Sequence, residues 1–243
     1  MFTLDEVKLR ARRSNNDGNK RLHFFASHFS IYFSWIFLNL RLSANAVTGV
    51  FFVTGLCGVI LFSYNDPVFV IIAYSLWRLH IIFDICDGEV ARFTQKFSIN
   101  GAYWDYMIHS ILYPATYISI LFSLYIKFSD VNFLYLGMVG SILISQILAV
   151  KNNYYRAMLF NGNKLNIKKS SNKRGALWSY IVILLTTFLG FEGFLFIYTM
   201  SLLFDLSSLF YLLFVMFYLV SLSLQTFIKF VLFSRKGFYE RKS

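Results

Sequence analysis

The stretch from Ser43 to Tyr64, SANAVTGVFFVTGLCGVILFSY, carries no charged side chain, and its length decides the class of fold. A helix needs about 20 predominantly apolar residues to cross the hydrocarbon of a bilayer, and this run supplies them. Outward from it, comparable apolar runs cover residues 68–90, 101–127, 131–150, 175–203 and 206–233. The composition agrees. Hydrophobic residues make up 57% of the 243, aromatics 20% and charged residues only 14%, with 2 prolines, which describes a polytopic membrane chain and excludes a soluble domain. These runs predict an all-α integral membrane protein with six transmembrane helices.

A seventh apolar run, His23 to Leu40 (HFFASHFSIYFSWIFLNL), is set apart from the spans. It holds two histidines and several serines and lies between Lys20-Arg21 and Arg41, so crossing would place its basic flanks on opposite sides. An interfacial juxtamembrane helix preceding the first span is expected instead. Basic residues also cluster after the second span (Arg92, Lys96), after the fourth (Lys151 to Arg174) and at the end of the chain, whereas the connections near Asp66, Asp130 and Asp205 are acidic or neutral. The positive-inside bias then sets both termini, and the Arg92 to Asn100 connection, in the cytoplasm. The expected organisation is residues 1–41 as a cytoplasmic N-terminus with a juxtamembrane amphipathic helix, 42–233 as a six-helix transmembrane domain, and 234–243 as a cytoplasmic tail. Residues 1–22 are too polar for a cleavable signal peptide.

The net charge of +11 is spread along membrane-flanking segments, so anionic lipid headgroups, not nucleic acid, are its expected partners. Cys57 and Cys86 lie inside expected spans and are read as packing residues.

Within this apolar chain, Asp84, Asp87, Asp105 and His109 stand where ionisable groups are costly unless paired, hydrated or bound to an ion. On helices of 3.6 residues per turn, Asp84, Asp87, Gly88 and Ala91 share one face, and Gly101, Asp105 and His109, at i, i+4 and i+8, share another. The polar connection between them suits a helical hairpin. Gly88, Ala91 and Gly101 let backbones or a flat ligand approach closely. A divalent cation is the natural compensator. His80, one turn before Asp84, is either a donor that orients that carboxylate or a histidine hydrogen-bonded elsewhere in the bundle.

The run Asp84-Ile-Cys-Asp87-Gly88-Glu-Val-Ala91-Arg92, eight residues to Gly101, three to Asp105 and three to His109 resembles the signature of the CDP-alcohol phosphotransferase family. Every position fits except the last, where the family has Asp. Leu42-Ser43-Ala44-Asn45-Ala46-Val47-Thr48 also resembles the opening of that family's first span, with Ala44 in place of the usual proline.

The resemblance implies transfer of a substituted phosphate from a CDP-alcohol donor to an acceptor hydroxyl, with release of CMP, in phospholipid or polyol-phosphate and glycan-lipid synthesis. It implies two divalent cations, Mg²⁺ or Mn²⁺, held by Asp84, Asp87, Asp105 and His109, and a homodimer. CDP would be bound by Asn45, Thr48, Asp84, Gly88, Ala91, Arg92 and Gly101. Asp105 and His109 would be catalytic; the imidazole, with an unperturbed pKa of about 6.5, suits the general base. Lys151 and Arg156 are candidates for an acceptor phosphate, with interfacial anchoring as the alternative. A catalytically impaired or non-enzymatic membrane protein, for binding or transport, is the competing function class. The sequence does not choose between a lipid and a soluble polyol as the activated alcohol.

Overall fold

A computed structural model describes residues 2–11, 24–160, 188–204 and 206–239. Within them the order is α1 (Leu4–Ala11), α2 (Phe24–Asn39), α3 (Ala44–Phe62), α4 (Pro67–Thr94), α5 (Ile99–Phe128), α6 (Asn132–Phe160), α7 (Phe191–Ser201) and α8 (Ser208–Tyr239), with no strand among the described residues. The chain divides into two compact units, Met1–Ser123 and Leu124–Ser243.

Five helical stretches among the described residues are long and apolar enough to cross a bilayer: Ala44–Phe62, Pro67–Thr94, Ile99–Phe128, Asn132–Tyr154 and Ser208–Ser234. They support an integral membrane protein. The first part of the expected span at 175–203, residues 175–187, lies outside the described residues. Its described part contains α7, whose 11 residues are too few to cross alone. At 1.5 Å per residue the 16 residues of α2 reach about 24 Å, short of the roughly 30 Å of bilayer hydrocarbon.

Local chemistry sets the helix ends of the first unit. Ser43 caps α3, its hydroxyl accepting from the Ala46 amide at 3.2 Å. Asp66 caps α4, accepting from the Val68 amide at 2.8 Å, and Pro67 fills the first turn, where its missing N–H costs nothing. Gln95 ends α4 in the left-handed region (φ 54°), and Ser98 starts α5 by accepting from the Gly101 amide at 2.9 Å. The polar connection expected from the sequence is therefore a capped turn, Gln95 to Ser98.

α3 and α4 pack closely because α3 is bare where they meet. A Cβ on Gly55 would lie 2.7 Å from His80 Nδ1, and one on Gly58 would lie 3.3 Å from the Ala73 carbonyl. Small residues at such crossings let backbones approach and gain dispersion contacts that lipid tails would otherwise supply. α1 and α2 pack on the other side of α4, around Val7, Ala11, Ile31, Leu38, Cys86 and Val90. The serines of α2 face inward: Ser30 and Ser34 are fully buried, while Phe29, Tyr32 and Ile36 are exposed. The physical reason is a buried acid on α4, described below. Both cysteines are free; Cys86 packs inside, whereas Cys57 is exposed and not a packing residue of this unit.

In the second unit α6 packs along α8, and α7 lies against α8 through Phe194, stacked on Phe214 at 5.2 Å. The turn before α7 is tied to α8, with Ser221 and Gln225 both donating to the Leu189 carbonyl, at 3.0 and 2.9 Å.

The bare face of α3 yields a direct test. Gly55→Val is expected to lower stability in detergent by about 1–3 kcal/mol, the usual cost of overpacking a fixed contact, as read from unfolding midpoints. Gly49→Ala, where nothing lies within 4 Å of an added Cβ, is expected to leave the midpoint unchanged or raise it.

Candidate metal and nucleotide site

Three helix ends of the first unit meet at one place: the start of α3, the end of α4 and the start of α5. Asn45 and Gly101 touch closely, a Cβ on Gly101 falling 3.1 Å from Asn45 Oδ1, and Ser98 Oγ lies 3.4 Å from the same oxygen. Gly101 is thus bare because α3 and α5 converge there. Below this rim, α3 and α4 are joined by Thr48, whose hydroxyl donates to Asp87 Oδ2 at 2.9 Å.

Asp84 on α4 and Asp105 and His109 on α5 form the centre of the site. His109 Nε2 lies 3.0 Å from Asp105 Oδ1 and 3.4 Å from Asp84 Oδ1, and each of the three side chains is one fifth to one third exposed (21–34%). One ligand atom from each falls within 4.8 Å of the other two. Asp84 and His109 each sit ten residues from the nearer helix end, about 15 Å into the bundle at 1.5 Å per residue.

The donor set fits a divalent cation. Two carboxylates and an imidazole provide oxygen and nitrogen ligands of the kind Mg²⁺ and Mn²⁺ accept. The imidazole's orientation fits too. Nδ1 of His109 is buried with no hydrogen-bond partner among the described residues, so Nε2 is the nitrogen that faces the carboxylates. Rings hold it there: Phe51 stacks on His109 with centroids 6.0 Å apart, and Tyr113 meets it edge-on at 5.5 Å. Asp87, also expected as a ligand, is directed to Thr48, outside the Asp84, Asp105 and His109 group.

His80 does not orient Asp84. Its Nδ1 donates to the Phe51 carbonyl at 2.9 Å, the second of the two possibilities the sequence left open, and Nε2 is buried without a partner among the described residues. Packed against Phe51 and Trp77, it supports the ring that stacks on His109.

Gly88 and Ala91 follow on α4, and the space over Gly88 belongs to a side chain of the same helix. A Cβ there would lie 3.0 Å from Arg92 Nη1, so the guanidinium folds back across Gly88. Arg92 Nε in turn donates to the Ala11 carbonyl at 2.7 Å. Lys151 and Arg156 stand on α6 in the second unit; Arg156 is exposed, and the Lys151 side chain lies outside the described residues.

Sequence reasoning missed Glu89. Between Asp87 and Arg92, this carboxylate is 4% exposed and turns away from the cation site toward α2, accepting from Ser30 at 3.0 Å and Ser34 at 2.7 Å. The signal lay in the serine spacing: Ser27, Ser30 and Ser34 recur every three to four residues, a polar stripe on one face of an otherwise apolar helix.

No protein-family model matches the chain, and a search of curated proteins finds no significant match.

Ser34→Ala removes the shorter of the two serine bonds to a buried carboxylate. It is expected to cost about 1–3 kcal/mol, the penalty for an under-satisfied buried acceptor, measured by denaturation in detergent. Ser34→Thr keeps the hydroxyl and is expected to recover most of that loss.

Proposed function

We propose that the chain is a membrane-embedded transferase that moves a substituted phosphate from a CDP-alcohol to an acceptor hydroxyl and releases CMP, on the cytoplasmic side of the membrane. The observation that carries this reading is the convergence of Asp84, Asp105 and His109 at one point, with other positions of the resemblance paired on the same helices: Thr48 with Asp87, Arg92 over Gly88, and Asn45 against Gly101. The donor belongs to the CDP-alcohols; the acceptor is a lipid or polyol-phosphate hydroxyl; α2 seats at the membrane interface, and the family resemblance favours a homodimer.

Asp84 and Asp105 would hold the divalent cations, joined by Asp87 through the carboxylate oxygen that does not accept from Thr48. When bound, these neutralise the diphosphate and stabilise the charge on the departing phosphate oxygen, as in other metal-assisted phosphoryl transfers. Thr48 fixes the Asp87 carboxylate. Asn45 stands at the exposed rim and Arg92 across Gly88, a polar and a cationic group suited to ribose and phosphate oxygens. In the reaction the acceptor oxygen bonds to the β-phosphorus, the bond from that phosphorus to the CMP oxygen breaks, and the acceptor proton passes to a base.

His109 is assigned as that base. Its Nδ1 is buried, so Nε2 is the nitrogen open to the cluster, and one lone pair cannot ligate a cation and accept a proton at once. Mg²⁺ takes oxygen ligands readily, which leaves the imidazole free for the proton. A second reading rests on the same distances: an imidazolium at His109, 3.0 and 3.4 Å from two carboxylates, would itself compensate their charge and make a cation-free, non-catalytic cluster.

The experiment is CMP release by purified protein with Mg²⁺ or Mn²⁺ across a panel of CDP-alcohols and acceptors. Metal-dependent release is expected, with Asp105→Ala and His109→Ala each reducing kcat by about 10²-fold or more, the range in which positioned acid–base groups act. No release from any donor, with stability indifferent to metal and lowered by His109→Ala, would favour the cation-free cluster. Full turnover in His109→Ala would remove the base role alone.

A further inference from the structure

α1 is anchored more firmly than an eight-residue surface helix requires. Its start is closed by a reciprocal capping box: the Thr3 hydroxyl accepts from the Glu6 amide at 3.3 Å, and the Glu6 carboxylate accepts from the Thr3 amide at 3.0 Å. The preceding residue is clamped to α2. The Phe2 amide donates to Asn39 Oδ1 at 2.8 Å, and Trp35 Nε1 donates to the Phe2 carbonyl at 2.8 Å. The Phe2 ring meets Phe93 of α4 edge-on at 4.9 Å, and Arg10 lies over the other partner of that contact, 5.8 Å from the Phe93 centroid. Val7 and Ala11 are fully buried.

All of this positions one carbonyl. The Ala11 C=O, at the last turn of α1, accepts from Arg92 Nε at 2.7 Å. Carbonyls at a helix C-terminus lack intrahelical donors and carry the negative end of the helix dipole, so a guanidinium is their favoured partner. The benefit runs both ways, because a free arginine carries rotamer entropy that binding would otherwise have to overcome. Held at Nε, Arg92 lies across Gly88, on the α4 face that also bears Asp84 and Asp87.

We infer that α1 is a working part of the nucleotide site: by holding Arg92 over Gly88, the Ala11 carbonyl presets the guanidinium for the diphosphate of a cytidine nucleotide. This rests on the donor reading above, and Ala11 is a positioning residue that acts through Arg92. Neither the signature nor its spacing implicates residues 2–11, which precede the matched segment by more than thirty positions.

The test is a double-mutant cycle on the full chain in detergent, with CDP plus Mn²⁺ as the probe and equilibrium dialysis as the readout. Val7→Asp undocks α1, Val7→Ile is its conservative control, and Phe2→Ala is a milder second route should Val7→Asp fail to fold. Undocking is expected to raise the Kd for CDP about tenfold, the effect of losing one charge-assisted contact. In an Arg92→Ala background the same change is expected to raise it less than twofold, since coupled residues are non-additive. Equal weakening in both backgrounds, no weakening, or tighter binding on undocking would each overturn the inference while leaving the donor reading intact. Failure of the unsubstituted protein to bind CDP would overturn the donor reading, and this inference with it.

Discussion

Ionisable groups are expensive in an apolar bundle, and the first unit is organised around that cost. Asp84, Asp87 and Glu89 fall within about a turn and a half of one helix, on a stretch otherwise apolar enough to cross a bilayer. Each is resolved by a different neighbour. Asp84 turns to α5 and His109, Asp87 to α3 and Thr48, Glu89 to α2 and its two serines. Compensating three carboxylates thus fixes the three helices that surround α4. The packing follows: bare glycines on α3, a serine stripe on α2, and a ring cluster that holds the His109 imidazole.

The same constraint gives the site its chemical character. Asp87 and Glu89 accept hydrogen bonds from threonine and serine hydroxyls. Asp84 and Asp105 are met by an imidazole, a group that can yield its place to a cation or accept a proton. A membrane protein that only needed to lock its helices together could have used serines throughout. Here the exchangeable partner stands where the two helices bearing the signature residues face each other, and the satisfied acids stand on either side of it.

Much of this was legible in the sequence. The apolar runs at 43–64, 68–90, 101–127, 131–150 and 206–233 match the five described spans, and the spacing of Asp84, Gly101, Asp105 and His109 foretold which helices meet. What was not legible depends on a third helix. His80 and Asp84 share a face, yet the Phe51 carbonyl on α3 claims the imidazole, and no helical periodicity within α4 reveals that competitor. The inward turn of the α2 serines was not legible because their partner, Glu89, lies 55 residues away from Ser34. Gly88 looked like room for a ligand and is room first for Arg92, whose Nε donates to the Ala11 carbonyl of α1.

The central claim, that Asp84 and Asp105, beside the His109 imidazole, hold a divalent cation, is most directly tested by Mn²⁺ binding to the purified chain, followed by the loss of the free-ion signal in electron paramagnetic resonance. The account predicts saturable binding that Asp84→Asn and Asp105→Asn each weaken by tenfold or more, as expected when a charged ligand is lost, of order 1.4 kcal/mol or above. Binding that is absent, or equally tight in both variants, would contradict it.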